Sequence, residues 1–368
     1  MIDQSLLKSE ERAIFSLREL YKQYGYMPYK MSKFEEYDLY VSNKDFLISD
    51  RVITFNDTNG KLMALKPDVT LSIIKNAEDA PGEKTKVYYN ENVYRISDST
   101  HQYKEIMQAG LECIGDIDGY DIYEAVYLAA KSLERVGGSF VLAISHLDIL
   151  TSILDEISTD EKFRAETVHC IKEKNKHDIE RICKKYSVDE ASTAKLCTIA
   201  GMYGKIQDVI APLRDICKSE QSAEALDELC KLCELFSGTE YEDKIFIDFS
   251  IVNDMNYYNG IVFKGFIDGI CTGVLAGGRY DKLMRRMGRN SGAVGFALYL
   301  DLLEELGSCR SDYDVDVLLL YDRKTNVKEI SETVSTLTKQ GKSVSARKSI
   351  PEKLRYREIL YLGGESGK

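Results

Sequence analysis

The segment Lys104-Glu-Ile-Met-Gln-Ala-Gly-Leu-Glu-Cys-Ile-Gly115 has the alternation expected of a β-strand with two different faces. The first face is apolar and comprises Met107, Ala109, Leu111 and Cys113. The second face carries Gln108, Gly110 and Glu112. Gln108 and Glu112 should lie about 13 Å apart along the strand, and the glycine leaves a gap between them. This face suits either a solvent-exposed strand surface or the floor of a pocket for a small polar ligand with N–H donors.

Three further segments are typical of ligand-binding loops when they are taken together. Leu65-Lys-Pro-Asp-Val-Thr70 follows a predicted strand and offers an aspartate and a threonine as hydrogen-bond acceptors. Tyr257-Tyr258 opens another predicted strand. Ala276-Gly-Gly-Arg-Tyr-Asp281 places two glycines before three functional side chains. Each segment is weak evidence alone, since a Gly-Gly pair is more often an ordinary turn.

Hydrophobic periodicity predicts a mixture of helices and strands along the rest of the chain. The predicted helices are 5–24, 121–136, a run of short helices over 150–238, Gly292–Leu306 and 325–340. The predicted strands are 52–55, 62–65, 86–96, 104–115, 244–249, 257–266, 315–320, 343–347 and 359–362. A glycine-rich turn is expected after the strand at 257–266.

Composition excludes several classes of protein. The 368 residues carry a formal charge of −11, which argues against a broad basic face for nucleic acid. No apolar run of membrane-spanning length or export signal is apparent, and the nine scattered cysteines suggest reduced thiols, so a cytoplasmic protein is expected. The Cys230-x-x-Cys233 pair lies in a helical pattern that suits core packing, and no second pair follows it to complete a zinc site. The four histidines lack metal-ligand spacing. We therefore expect no metal, no cofactor, no membrane partner and no nucleic-acid partner.

Read in order, these segments resemble the catalytic core of histidyl-tRNA synthetase, a class II aminoacyl-tRNA synthetase. The resemblance covers most of residues 5–306 and includes Val93-Tyr-Arg95 and Ala293-Val-Gly-Phe-Ala297. It implies an α+β fold with a six-stranded antiparallel sheet flanked by helices, and a dimer. It also implies three parts, which are a core of 1–149 and 240–308, a helical insertion of 150–239, and a truncated anticodon-binding-like α/β unit of 311–368.

The chain departs from the synthetase pattern where the family binds ATP. Arg95 is retained as a vestige of the nucleotide site, but Ser97 replaces the glutamate of the same motif. The following loop, Asp98–Lys104, contains no arginine. Asn253 and Leu302 replace two further arginines, and a motif proline is lost at Ser32. Because arginines stabilise the phosphate charge that develops during adenylation, the resemblance predicts no catalytic residue and no adenylation activity.

The half of the family site that holds histidine keeps suitable chemistry. By resemblance, Asp68 and Thr70 would accept the α-ammonium group, although the synthetases have Glu at the position of Asp68. Glu112 would read the imidazole nitrogens together with Tyr258 and Tyr280. The complete set of expected histidine-binding residues is Asp68, Thr70, Gln108, Glu112, Tyr257, Tyr258, Gly278, Arg279 and Tyr280.

Retention of the amino-acid half without the ATP half resembles the ATP phosphoribosyltransferase regulatory subunits, which are synthetase paralogues of histidine biosynthesis. The resemblance implies a non-catalytic subunit that is required for the first step of that pathway and makes a short-form catalytic subunit sensitive to feedback inhibition by L-histidine. It also implies a homodimer within a hetero-octamer. Two alternatives stay open, a divergent histidyl-tRNA synthetase and a synthetase-like sensor of tRNA or histidine.

Overall fold

A computed structural model describes residues 7, 9–43, 52–77, 82–96, 101–252, 257–306 and 313–363. The chain divides into two compact units, Met1–Leu306 and Gly307–Lys368. No helix among these residues has the length and apolarity needed to cross a membrane.

The helices of the first unit start and stop at residues suited to those roles. The helix that packs beneath the central sheet, Gly119–Val136, begins at Asp118, whose carboxylate accepts hydrogen bonds from two backbone N–H groups, and it ends at Gly137. The helices in chain order are α1 (Ser9–Gln23), α2 (Tyr37–Val41), α3 (Thr70–Asn76), α4 (Gly119–Val136), α5 (Leu147–Ile157), α6 (Glu161–Lys172), α7 (Lys176–Lys185), α8 (Glu190–Ala200), α9 (Ile206–Ile216), α10 (Glu220–Leu235) and α11 (Asp281–Arg286).

A large sheet forms the centre of the first unit and, among the described residues, contains nine strands. Its strands in spatial order are β1 (Met27–Pro28), β5 (Lys84–Ile96), β6 (Tyr103–Gly115), β12 (Gly292–Tyr299), β11 (Leu275–Arg279), β10 (Asn259–Ile267), β7 (Phe140–His146), β9 (Ile245–Asp248) and β8 (Tyr203–Gly204). The six strands from β5 to β7 are antiparallel to their neighbours, as the synthetase resemblance implies. The sheet is larger than the expected six strands because β1 adds a parallel strand beside β5, and β9 adds a parallel strand beside β7. The short strand β8 then pairs antiparallel with β9 at that edge.

A separate three-stranded antiparallel sheet lies beside α2. Its strands are β2 (Phe34–Glu36), β4 (Leu62–Leu65) and β3 (Thr54–Asn56), with β4 in the centre. The strands predicted at 52–55 and 62–65 are confirmed and pair as a hairpin, and a third strand joins them from the preceding segment.

The alternation predicted for β6 is confirmed. Ala109, Leu111 and Cys113 are fully buried in the hydrophobic cluster that the sheet forms with α1 and α4. Gln108 and Glu112 are equally buried but belong to the opposite face of the strand, where they line a cavity. Polar residues therefore occupy an interior position and need internal hydrogen-bond partners.

The prediction of a helix over Gly292–Leu306 is wrong. Gly292–Tyr299 is the strand β12 in the middle of the sheet, and a short 3₁₀ helix, Leu300–Leu306, follows it. The strand is required because Gly295 pairs with Glu112 on one side and with Gly278 on the other. These long-range contacts override the local helical spacing of the apolar residues.

The glycine pair also differs from expectation, since Gly277 and Gly278 lie in β11 and do not form a turn. A Cβ atom at Gly277 would lie 2.4 Å from the Phe296 Cβ, and one at Gly278 would lie 2.9 Å from the Tyr258 ring. The glycines are needed because large neighbouring side chains pack directly over the strand.

The second unit is a small α/β layer. Three parallel strands lie in the order β14 (Val344–Arg347), β13 (Val315–Tyr321) and β15 (Tyr356–Leu362), and the helix α12 (Val327–Lys339) connects β13 with β14. The buried residues Val317, Leu318 and Leu319 place the central strand in the core of this layer. The predicted strand–helix–strand–strand order is confirmed.

Candidate functional site

A cavity of about 900 Å³ lies over the polar face of the central sheet. Strands β5, β6, β10, β11 and β12 contribute its floor, and the start of α3 contributes one wall. The helices α5 and α6 provide residues on another side. Seven of the nine expected histidine-binding residues line this cavity, namely Asp68, Thr70, Gln108, Glu112, Tyr257, Tyr258 and Tyr280.

Glu112 lies at the closed end of the cavity with only 2% of its surface exposed. The Thr70 hydroxyl donates to its Oε1 at 2.7 Å, and the Tyr280 hydroxyl donates to its Oε2 at 2.5 Å. Burial nevertheless raises the pKa of the Glu112 carboxyl to about 8, because the two hydrogen bonds offset only part of the desolvation of the charge. The side chain is thus a buried carboxyl that can hold or release a proton near neutral pH.

The fold makes room for this carboxyl through Gly295. A Cβ atom at position 295 would lie 1.8 Å from Glu112 Oε2, so no larger residue fits without moving the carboxyl. The gap expected at Gly110 has a different use. It is filled by Tyr89, whose hydroxyl would lie 2.5 Å from a Cβ at position 110. The lack of a side chain at Gly110 therefore makes room for Tyr89, which sequence reasoning missed, and no space for a ligand remains there.

Asp68 and Thr70 come from the loop that begins α3. Asp68 Oδ1 accepts a hydrogen bond from the Leu71 backbone N–H at 2.9 Å, which aims the carboxylate along the start of the helix. Burial raises the pKa of Asp68, while backbone N–H groups and the Arg95 charge oppose that shift. Asp68 therefore adds a second acidic group to the same end of the cavity as Glu112.

Three tyrosines enclose the acidic end of the cavity. The ring centres of Tyr257 and Tyr258 lie 4.5 Å apart, and those of Tyr257 and Tyr280 lie 5.8 Å apart. Burial raises the pKa of Tyr257 and Tyr280 well above the usual value, so both hydroxyls stay protonated. The enclosure lowers the local polarity and strengthens every hydrogen bond that a ligand would make to Glu112.

Gly278 and Arg279 are the two expected histidine-binding residues that are not among the residues lining the cavity. Gly278 underlies the Tyr258 ring, so it supports the cavity through that side chain. Arg279 does not line the cavity. Its Nε donates to Asp281 at 2.7 Å, and its guanidinium lies 3.9 Å from the Glu228 carboxylate. Because side chains alternate along a strand, Arg279 lies on the opposite face from Gly278, and its part in binding histidine stays a prediction.

The vestigial arginine lies at the edge of the same cavity. The Arg95 Nε donates to the Pro67 carbonyl at 2.9 Å, and its charge also acts on Asp68 and Tyr299. Its role in the described structure is therefore to support the loop before α3. The predicted replacements at Ser97, at Asp98–Thr100 and at Asn253 lie outside the described residues.

Residues from α5 and α6 complete the cavity, and sequence reasoning missed them. From α6 these are Arg164, Ala165, Val168, His169 and Lys172, which share one helical stripe, and from α5 they are Thr151 and Leu154. The 3–4 residue spacing was visible in the sequence. The sequence did not show which way this stripe faces, because periodicity alone does not identify the surface against which a helix packs. No group of three or more potential metal ligands occurs among the residues described.

A family model described as "Histidyl-tRNA synthetase" matches residues 4–303, which is most of the chain. The chain belongs to the histidyl-tRNA synthetase family. The matched range contains every strand of the large sheet and most of the residues that line the cavity.

Curated relatives carry a more specific description. A protein of Alkaliphilus metalliredigens named "ATP phosphoribosyltransferase regulatory subunit" is 29% identical over 337 residues, which cover 88% of this chain and 84% of the relative. A protein of the same name from Clostridium acetobutylicum is 27% identical, with coverage of 92% and 86%. Both alignments extend over nearly the whole of each chain.

Solved structures support the fold. A protein of Bacillus halodurans, described as an ATP phosphoribosyltransferase regulatory subunit/histidyl-tRNA synthetase, superposes with a TM-score of 0.77 at 23% identity and covers 97% of this chain and 94% of its own. A chain of the ATP phosphoribosyl transferase (HisG:HisZ) complex from Thermotoga maritima superposes with a TM-score of 0.61 at 19% identity, with coverage of 78% and 96%.

Proposed function

We propose that this family member is a non-catalytic regulatory subunit of ATP phosphoribosyltransferase. The proposal is supported by the names of relatives that align over more than four-fifths of both chains, and by the likeness to a chain of a HisG:HisZ complex. The partner would be a short-form catalytic subunit that performs the first step of histidine biosynthesis.

The observation that carries the proposal is the contrast between the two halves of the cavity. The acidic end keeps a buried carboxyl with two hydroxyl donors and a tyrosine enclosure. We propose that the other half has lost arginines that adenylation needs. Leu302, which stands where the family pattern has an arginine, is partly buried against the hydrophobic core. Loss of one such phosphate contact typically lowers the rate by about 10²–10³.

L-Histidine is the effector that the acidic end suits best. The imidazole N–H would donate to Glu112, in place of or beside Thr70 and Tyr280, and the α-ammonium would lie toward Asp68. A carboxyl with a pKa of about 8 and an imidazole with a free pKa of about 6.5 can share one proton between pH 6.5 and 8. Binding in this window needs no net proton uptake or release by the pair.

Feedback inhibition would follow from differential binding. If histidine binds more tightly to the inactive complex than to the active one, it shifts the population toward the inactive state by the ratio of the two affinities. Typical coupling energies of about 1–3 kcal/mol correspond to roughly 5–150-fold changes in affinity. We further propose a homodimer within a hetero-octamer, in which the unit 311–368 is a remnant of an anticodon-binding domain.

Two assays on the purified chain test the proposal. Calorimetric titration with histidine should show saturable binding that is at least tenfold weaker in Glu112→Gln, because an amide cannot share a proton with the imidazole as the carboxyl would. Histidine-dependent ATP–pyrophosphate exchange should be at background. Exchange above background would instead establish a divergent synthetase, and unchanged histidine affinity in the variant would refute the assignment of Glu112.

A further inference from the structure

The end of the cavity away from Glu112 contains a half-buried lysine without an acidic partner. Lys264 projects from β10, and Gly273 makes room for it, since a Cβ at position 273 would lie 2.2 Å from the Lys264 Cε. No residue in the described part of the chain forms an ion pair with Lys264, and its ammonium lies 5.6 Å from the centre of the Phe266 ring. Burial, and after it the charge of Lys172, lowers the pKa of Lys264.

The helix α6 presents more positive charge to this end. Its cavity-facing stripe ends with His169 and Lys172 in the last helical turn. Lys172 also lacks an acidic partner among the described residues, whereas Arg164 on the same stripe pairs with Asp155. Two neighbouring lysines without acidic partners give this end of the cavity a positive potential, although the net charge of the chain is −11.

The lysine end is separate from the acidic end. Glu112 on β6 and Lys264 on β10 are three strand spacings apart, because β12 and β11 lie between them. The strand register connects Glu112 with Val262 on β10 through Gly295 and Gly278. Val262 lies two residues before Lys264. Standard sheet spacings place the two Cα atoms about 16 Å apart. One histidine held at Glu112 fills only part of a 900 Å³ cavity, which leaves space for another group at the lysine end.

We propose that this outer end of the cavity binds a phosphate group of a small phosphorylated ligand between Lys172 and Lys264, with His169 at the rim. Two ammonium groups match a doubly charged phosphate better than a single carboxylate, and lysine binds phosphate as a point charge. The site is distinct from the end that holds Arg95, which lies on β5, four strand positions from β10. The phosphate belongs either to a free ligand or to one that also extends to Glu112.

The lining of the cavity supplies one further observation in favour of a polar ligand. The Thr151 side-chain oxygen of α5 is buried and has no hydrogen-bond partner in the described structure, although its residue lines the same cavity. A phosphate oxygen or a bridging water would satisfy such a hydroxyl. An apolar ligand would leave it unsatisfied.

The test is calorimetric titration of the full chain with inorganic pyrophosphate. We expect saturable binding of one pyrophosphate per chain, and about tenfold weaker binding in both Lys264→Gln and Lys172→Gln. Lys218→Gln removes the same charge from an exposed lysine next to Asp215 and should bind within twofold of the native chain. Lys172 is exposed, so its variant keeps the test valid even if the half-buried Lys264 contributes to folding.

Repeating the titration with saturating histidine distinguishes the two sources of phosphate. Undiminished pyrophosphate binding supports a free phosphorylated ligand, and mutual exclusion supports a single ligand that spans both ends. Non-saturable binding, or equal weakening by the Lys218 control, would overturn the proposal. Pyrophosphate binding without any histidine binding would retain this site and contradict the effector assigned under the proposed function.

Discussion

The buried Glu112 carboxyl makes a specific prediction about stability and pH. Its pKa is raised from 4.5 to about 8 on folding, so the native state binds this proton more tightly than the unfolded state does. The stabilising effect of the neutral carboxyl is therefore fully present below pH 4.5 and is lost as the pH rises toward 8. The dependence should be absent from Glu112→Gln, which has no carboxyl to titrate at this position.

The magnitude follows from the linkage relation. Each pH unit between the two pKa values changes the free energy of unfolding by 1.36 kcal/mol, so the native chain should lose about 3 kcal/mol relative to Glu112→Gln between pH 5 and pH 7. Comparing the two proteins removes the contributions of the other carboxyls, apart from Asp68, whose charge acts on Glu112.

Urea unfolding at pH 5, 6 and 7, monitored by circular dichroism, measures this difference. The free energy of unfolding of the variant, relative to that of the native chain, should rise as the pH increases from 5 to 7. Parallel pH profiles would refute the account, because they would mean that Glu112 titrates at its ordinary pKa and is not buried as a neutral acid.

Three further predictions concern the framework of the site, and urea unfolding measures each. Gly295→Ala should destabilise the chain by about 1–3 kcal/mol, since the new methyl overlaps the Glu112 carboxyl; no loss would contradict the packing of β12 on β6. Glu91→Gln should cost about 3–5 kcal/mol, because it leaves the fully buried Lys66 without its counter-charge, and a neutral effect would show that this pair is hydrated. Asp118→Ala should cost about 1 kcal/mol by removing the cap of α4, and a loss near zero would mean that water replaces the cap.

Local patterns were sufficient to predict the strand that organises the site. The alternation around Glu112 identified both faces of β6, because a strand with one buried apolar face has a fixed side-chain period. The same reasoning failed for Gly292–Tyr299, where the apolar residues suit either a helix or a strand. The deciding contacts of Gly295 come from β6 and β11, which are distant in sequence.

The residues of the site were predicted unevenly for a related reason. Residues aligned by the family motifs, such as Thr70 and Tyr280, were assembled around Glu112 as expected. Arg279 was assigned with its motif, yet strand alternation turns its side chain away from Gly278. The lysines of the outer end had no motif, since Lys172 and Lys264 come close only after α6 packs over the sheet.

The most direct test of the central claim is the histidine response of the reconstituted complex. The chain is mixed with a short-form catalytic subunit from the same organism, and phosphoribosyl transfer to ATP is measured as histidine is added. We predict that the chain raises the rate, that histidine lowers it, and that Glu112→Gln needs at least tenfold more histidine for half-inhibition, while Lys218→Gln responds like the native chain. A chain without effect on the rate, or a Glu112→Gln complex inhibited at the native histidine concentration, would contradict the account.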